Sequence, residues 1–99
     1  MDELTTKPTE HKKLGIKAVL HDFNQKQYED YHNLLFQSDA KTMAAKNGTV
    51  LVCAIKAGIL TGVDADAVPS MKPAAVAWLD AAIHKHVIEV TSPPADDPN

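Results

Sequence analysis

The side chains best suited to chemistry lie in the run HKH, from His84 to His86, near the end of an alanine-rich stretch. Two histidines could ligate a zinc ion, but residues two apart on a helix point about 200° away from each other. Further ligands would have to come from His11, His21, His32 or Asp80. The spacing favours a surface contact between Asp80 and His84 over a metal site.

Nucleophilic catalysis would need Cys53, Ser38 or Ser70 beside an oriented base. Cys53 is the lone cysteine and lies in the apolar run TVLVCAIKAG, a setting that makes a thiol unreactive. The four glycines are scattered and lack the spacing of a phosphate-binding loop. We therefore expect no catalytic residue, no metal ligand, no cofactor and no enzymatic activity.

The charge pattern argues against nucleic acid as a partner. The formal net charge is -3, and all ten basic residues are lysines, so the bidentate fork of arginine is missing. The one basic cluster, His11 to Lys17, lacks interleaved aromatic residues.

No uninterrupted apolar run reaches the roughly 18 residues of a membrane span, and the polar N-terminus does not resemble a secretory signal. We expect a cytoplasmic protein with no membrane partner.

The length of 99 residues predicts one domain. Residues 1–12 and 92–99 are poor in large apolar side chains, which predicts a disordered N-terminal tail and a disordered, acidic, proline-rich C-terminal tail. The domain between them, residues 13–91, is predicted to be helical. It begins with a short extended arm, because apolar residues alternate from Leu14 to Leu20.

Four helices are predicted after this arm, which makes the expected fold all-α. Asn24 and Gln27 have the spacing of a capping box for a helix from Gln25 to Gln37. Ser38 or Asp39 is expected to cap a second helix that stops at Asn47 and Gly48. Thr49 is then expected to cap the run from Val50 to Ala57. This run is also compatible with a buried strand, but the alanine-rich segment before it favours a helix.

The last predicted helix begins near Ser70 and Pro73, ends near Val90 and has two apolar faces. Val76, Leu79, Ile83, Val87 and Val90 form an ordinary core face. Trp78 points about 130° away from that face, on the side where Ala74, Ala81 and Ile88 follow one another at heptad spacing. One interpretation is that another part of the chain covers Trp78. The alternative is a docking surface for a partner, with Lys85 and Glu89 as its polar rim.

The order of the segments NQKQYEDYHNLL, NGTVLVCAIKAGIL and MKPAAVAWLDAAIHKHV resembles small tail-assembly proteins of long-tailed bacteriophages, the tail assembly chaperones. The resemblance covers about three-quarters of the chain and implies a non-enzymatic protein that shields an apolar surface of a phage tail protein. It implies that Trp78 and the Met71, Lys72, Pro73 turn form the interface. Ala74, Ala81, Lys85 and Ile88 are added to this interface by the helix periodicity described above.

Two other functions fit the same features. A phage-encoded inhibitor of a bacterial defence complex would bind a host protein, and a small helical regulator would bind DNA. The DNA hypothesis is disfavoured because Lys85 is the only basic residue, apart from histidine, between Pro73 and Val90. Self-association through the Trp78 face would make the protein a homo-oligomer.

Overall fold

A computed structural model describes residues 6–93, which form a three-stranded antiparallel sheet and three α-helices. The strands are β1 (Thr6–His11), β2 (Ile16–His21) and β3 (Leu60–Thr61). The α-helices are α1 (Gln25–Gln37), α2 (Met43–Lys56) and α3 (Pro73–Thr91), and two 3-10 helices span Lys12–Leu14 and Ala65–Ser70. The fold is mixed α/β, so the prediction of an all-α fold is wrong.

The N-terminal part of the chain forms a β-hairpin. His11 pairs with Ile16 and Thr6 pairs with His21, and Gly15 closes the turn with a left-handed φ of 70°. The predicted arm is confirmed from Ile16 onward as β2, whose alternate residues Ile16, Ala18 and Leu20 are buried, whereas Leu14 lies in the first 3-10 helix. The predicted disorder of residues 1–12 is wrong from residue 6 onward, and residues 1–5 lie outside the described part of the chain.

Local sequence signals account for α1. The side chain of Asn24 accepts from the backbone N–H of Gln27, and the Gln27 side chain accepts from the N–H of Asn24, so the predicted capping box is present. The rings of Phe23 and Tyr28 stack with their centroids 5.9 Å apart, which fixes the path of the chain into the helix. The predicted bounds of this helix are confirmed.

The region predicted as two helices is the single helix α2. Thr42 caps its N-terminus by accepting from the N–H of Ala45, and Gly48 lies in the helix interior. The prediction that Asn47 and Gly48 stop the helix, with a new cap at Thr49, is wrong. The helix continues because the next two turns bury Val50, Leu51, Cys53 and Ala54. The prediction of a helix over Val50–Ala57 is confirmed to Lys56, after which Gly58 takes a φ of 83°.

The chain then returns to the sheet before it forms α3. The N–H of His21 donates to the carbonyl of Ile59 over 2.8 Å, and Thr61 pairs with Val19. The α3 helix follows the second 3-10 helix, and Lys72 occupies its N-cap position without a capping side-chain hydrogen bond, so the expected cap at Ser70 is wrong. Residues 94–99, most of the predicted C-terminal tail, lie outside the described residues.

A single core joins one face of the sheet to the helices. Tyr31 of α1, Leu51 of α2, and Leu79 and Ile83 of α3 are at most 2% exposed. The core also contains Ile16, Ala18, Leu20, Phe23, Val50, Cys53, Ala54, Ala57, Ile59, Leu60, Val68 and Ala75. This packing buries the inner side of α3 and leaves its outer side to solvent.

Candidate functional site

The two histidines of the HKH run have different environments. His86 is 4% exposed, and its Nε2 atom donates to the backbone carbonyl of His21 over 2.7 Å. His84 is exposed and lies 3.2 Å from the carboxylate of Asp80, which is the surface contact that the spacing predicted. Among residues 6–93, no three histidine, cysteine or acidic side chains are grouped so that they could hold a metal ion.

Cys53 occupies the core side of α2. It is 4% exposed, and burial raises the pKa of its thiol. A thiol in this setting is mainly protonated at neutral pH and is a poor nucleophile. Cys53 therefore contributes to packing.

The outer side of α3 carries the predicted interface residues. We define the α3 outer face as Ala74, Ala81, Lys85 and Ile88, all of which are exposed. Ile88 is 64% exposed, although a branched apolar side chain gains from burial. Ala77 and His84 fall between these residues and are exposed as well. The first half of this side carries the small residues Ala74, Ala77 and Ala81, so another helix could pack closely against it.

Trp78 lies beside the α3 outer face and is half-buried. The ring of His11, at the end of β1, meets the indole edge-on with centroids 5.4 Å apart and an angle of 82°. The indole also lines a cleft of 370 Å³ between β1 and α3, with Pro8, Thr9 and Lys85 among its other walls. The N-terminal strand thus covers part of Trp78, and the cleft leaves the rest accessible.

The Met71, Lys72, Pro73 turn belongs to a second surface. Met71 and Pro73 line an apolar groove of 520 Å³ between α2, the second 3-10 helix and the start of α3, whereas Lys72 is exposed and does not line it. We call this the Gly48 groove. Its walls are Ala44, Ala45, Asn47, Gly48, Thr49, Val52, Ala65, Val68, Pro69, Met71, Pro73 and Val76. Seven of the eight predicted interface residues are therefore divided between the α3 outer face with Trp78 beside it and the Gly48 groove, and Lys72 lies on neither surface.

Sequence reasoning missed most of the Gly48 groove. A glycine inside a helix costs about 1 kcal/mol relative to alanine, and the backbone of Gly48 does not need the left-handed region. A Cβ atom built on Gly48 would meet only the Cγ1 atom of Val68, at an ordinary distance of 3.6 Å. The signal that could have revealed the groove is this glycine, but Asn47 and Gly48 together predicted a helix stop.

The outer edge of the sheet at β1 is poorly suited to binding a partner strand. The N–H of His21 points toward β3, so the backbone groups of Val19, two residues earlier, point the same way. Val19 therefore makes no backbone hydrogen bond to Pro8, the residue with which it pairs. The backbone groups of Pro8 point away from β2, toward the free edge of β1. Proline has no N–H to donate there. A strand added at this edge would lose a hydrogen bond.

No protein-family model, no curated protein and no solved structure matches the chain. Within residues 6–93, every helix is too short or too polar to cross a membrane. The α3 outer face and the Gly48 groove are therefore the surfaces from which a function can be argued.

Proposed function

We propose that this protein is a non-enzymatic interaction module that binds another protein through the α3 outer face. The observation that carries the proposal is the exposure of Ile88, at 64%, on the same side of α3 as Ala74 and Ala81. Burial of this one side chain by a partner would contribute roughly 1.5–3 kcal/mol. The two alanines would let a partner helix approach closely.

The half-buried indole of Trp78 supports the same proposal. Tryptophan is enriched among the residues that dominate binding energy, and here its accessible part lies next to Ala81 and Lys85. Because the His11 ring holds one edge of the indole, the side chain is partly ordered before a partner binds. Preorganisation of this kind lowers the entropic cost of association.

The partner that we propose is a tail protein of a long-tailed bacteriophage, in the host cytoplasm. The support is the resemblance of MKPAAVAWL and AIKAGIL to tail assembly chaperones. The first segment contains Ala74 and Trp78, and the second forms the end of α2 and the start of β3. In this role the α3 outer face would cover an apolar surface of the tail protein until the tail assembles.

Site-specific photo-crosslinking tests the proposal. A photoreactive phenylalanine analogue replaces Ala81 in cells that also make the tail proteins, and a matched control carries it at Asn33, which is exposed on α1. We expect a covalent adduct to one tail protein from position 81 only, reduced by a second substitution, Ile88→Ser. Equal adducts from both positions, or none from position 81, would refute the interface. An adduct to a protein unrelated to tails would refute the chaperone role alone.

The control for folding is the melting temperature of Ile88→Ser. Because the side chain is already exposed, we expect a stability within about 0.5 kcal/mol of the wild type. A larger loss would mean that Ile88 supports the fold, and the crosslinking result could not then be assigned to binding.

A further inference from the structure

We propose that Asn47 is a site of spontaneous deamidation and that the N-terminal turns of α2 control the reaction. The intact helix blocks it, and local opening of residues 43–48 allows it. The product carries a carboxylate in the Gly48 groove and a longer main chain, so these turns cannot re-form. The α3 outer face takes no part in the reaction, so this proposal and the proposed function can fail independently.

The reactive pair is Asn47 and Gly48. In deamidation, the backbone nitrogen of the following residue attacks the side-chain amide carbon of the asparagine. A following residue with a Cβ atom hinders this approach, whereas glycine leaves it open and gives the backbone more freedom. Asn24 and Asn33 precede glutamine and leucine, so among the asparagines of residues 6–93 only Asn47 precedes a glycine.

The reaction has two steps, and water is its only co-reactant. The Gly48 nitrogen loses its proton to solvent as it bonds to Cγ of Asn47. The bond from Cγ to the amide nitrogen breaks, and this nitrogen takes up a proton and leaves as ammonia. Water then opens the cyclic imide. Opening at Cγ gives aspartate, and opening at the backbone carbonyl gives isoaspartate, in which the main chain runs through Cβ and Cγ.

The helical backbone prevents this attack. Residues 47 and 48 both lie inside α2, and in an α-helix the N–H of Gly48 donates to the carbonyl of Ala44. The nitrogen must lose this hydrogen bond before it can react. Closure of a nearly planar five-membered ring also requires the ψ angle of Asn47 to leave its helical value of about −42°. The folded helix therefore protects the amide.

The N-terminal turns of α2 are weakly held. Residues 43–49 are exposed or half-buried, and the first buried side chain of the helix is that of Val50. The first turn is tied by its cap, in which Thr42 accepts from the N–H of Ala45 over 3.1 Å. Opening as far as Gly48 breaks few buried contacts and leaves the buried turns from Val50 onward in place. The reaction therefore needs only local opening.

The product changes the Gly48 groove. Asn47 is one of its walls, and none of the wall residues named above is charged, so a carboxylate there loses hydration without gaining an ion pair. Isoaspartate also adds one CH2 group to the main chain, which breaks the hydrogen-bond register of the helix across position 47. The helix then begins at Thr49, whose hydroxyl suits an N-cap. Ala44 and Ala45 leave the groove, and no reverse reaction restores it.

Mass spectrometry of the folded wild type during incubation at mildly alkaline pH tests the proposal. Trypsin releases a peptide of residues 47–56 that reports the reaction, and a digest of unincubated protein gives the background. Asn24 and Asn33 are internal controls. We expect deamidation at Asn47 alone, with a rate that rises at least about tenfold in urea, where every helix is open.

Two matched cap variants distinguish local from global opening. Thr42→Ala removes the cap of α2 and should accelerate deamidation at Asn47 about fivefold. Asn24→Ala removes the corresponding cap of α1 and should leave the rate unchanged. Gly48→Ala should slow the reaction more than about fivefold, because alanine favours the helix and also hinders the attack.

The structure of the product gives an independent reading. Anion exchange separates the isoaspartate form, and its backbone chemical shifts should show loss of helix over residues 43–48 with α1 and α3 unchanged. Equal rates in the folded protein and in urea, equal rates in the two cap variants, or comparable reaction at Asn33 would overturn the proposal. An isoaspartate product that keeps α2 intact from Met43 would overturn it as well.

Discussion

The imidazole of His86 ties α3 to the sheet, because its Nε2 atom donates a hydrogen bond of 2.7 Å to the backbone carbonyl of His21. A carbonyl can only accept, so this contact requires a proton on Nε2. The same ring meets Phe23 edge-on, with centroids 5.8 Å apart. One side chain thereby joins the end of β2, the entry to α1 and the last turns of α3.

Replacement of His86 should be costly for this reason. His86→Ala leaves the carbonyl of His21 without its partner and opens a cavity beside Phe23. We expect a loss of about 2–4 kcal/mol in the free energy of unfolding, measured by urea denaturation. His84→Ala is the control, and it should cost clearly less than His86→Ala, because the His84 side chain is 57% exposed. Equal losses in the two variants would contradict the structural role of His86.

Tyr31 should make the protein sensitive to alkaline pH. Burial raises the pKa of its phenol to about 12, while the unfolded chain keeps a value of about 10. Between these values the unfolded state releases a proton that the folded state retains, so stability falls as pH rises from about 10 toward 12. The full difference corresponds to roughly 2–3 kcal/mol.

The measurement is the free energy of unfolding from about pH 9 upward, compared between the wild type and Tyr31→Phe. The variant lacks the ionisable group, so its stability should decline less steeply in this range. Tyrosinate absorbance gives an independent reading, since one tyrosine should ionise only at high pH or on unfolding. Identical pH profiles for the two proteins would contradict the assignment.

Gly48 and Gly58 should respond in opposite ways to alanine. Gly48→Ala adds helix propensity without a steric clash and should stabilise the fold by about 0.5–1 kcal/mol, which raises Tm by several degrees. Gly58→Ala forces a side chain into a backbone with a φ of 83° and should destabilise by about 1 kcal/mol or more. Thermal unfolding followed by circular dichroism measures both. A destabilised Gly48→Ala would show that the chain itself requires the glycine.

The contact between His11 and Trp78 should couple the first strand to α3. In a double-mutant cycle of His11→Ser and Trp78→Leu, we expect a coupling energy of about 0.5–1.5 kcal/mol, as found for edge-to-face rings. A second cycle of His32→Ser with Trp78→Leu should be additive, because the His32 ring meets Tyr28 and Tyr31 instead. Additivity in both cycles would mean that β1 is held by its backbone pairing alone.

The sequence by itself determined the elements whose signals are local. Asn24, Gln27 and the Phe23 to Tyr28 spacing predicted the start of α1, because a capping box and a staple involve residues at most five positions apart. Pro73 and the long apolar periodicity predicted α3. Heptad spacing placed Ala74, Ala81 and Ile88 on one side of α3, and the structure leaves that side exposed.

Only the tertiary structure decided the sheet, the continuity of α2 and the Gly48 groove. The segment that forms β1 is polar and contains Pro8, and it is ordered because β2 pairs with it and α3 covers His11. Asn47 and Gly48 favour a helix stop, but burial of the next two turns outweighs a penalty of about 1 kcal/mol. The groove is formed between residues 44–52 and residues 65–76, so no local pattern encodes it. Contacts between residues distant in sequence form only when the whole chain packs. In this protein, the free energy of that packing exceeded the local preference of Asn47 and Gly48 for a helix stop and of the polar β1 segment for disorder.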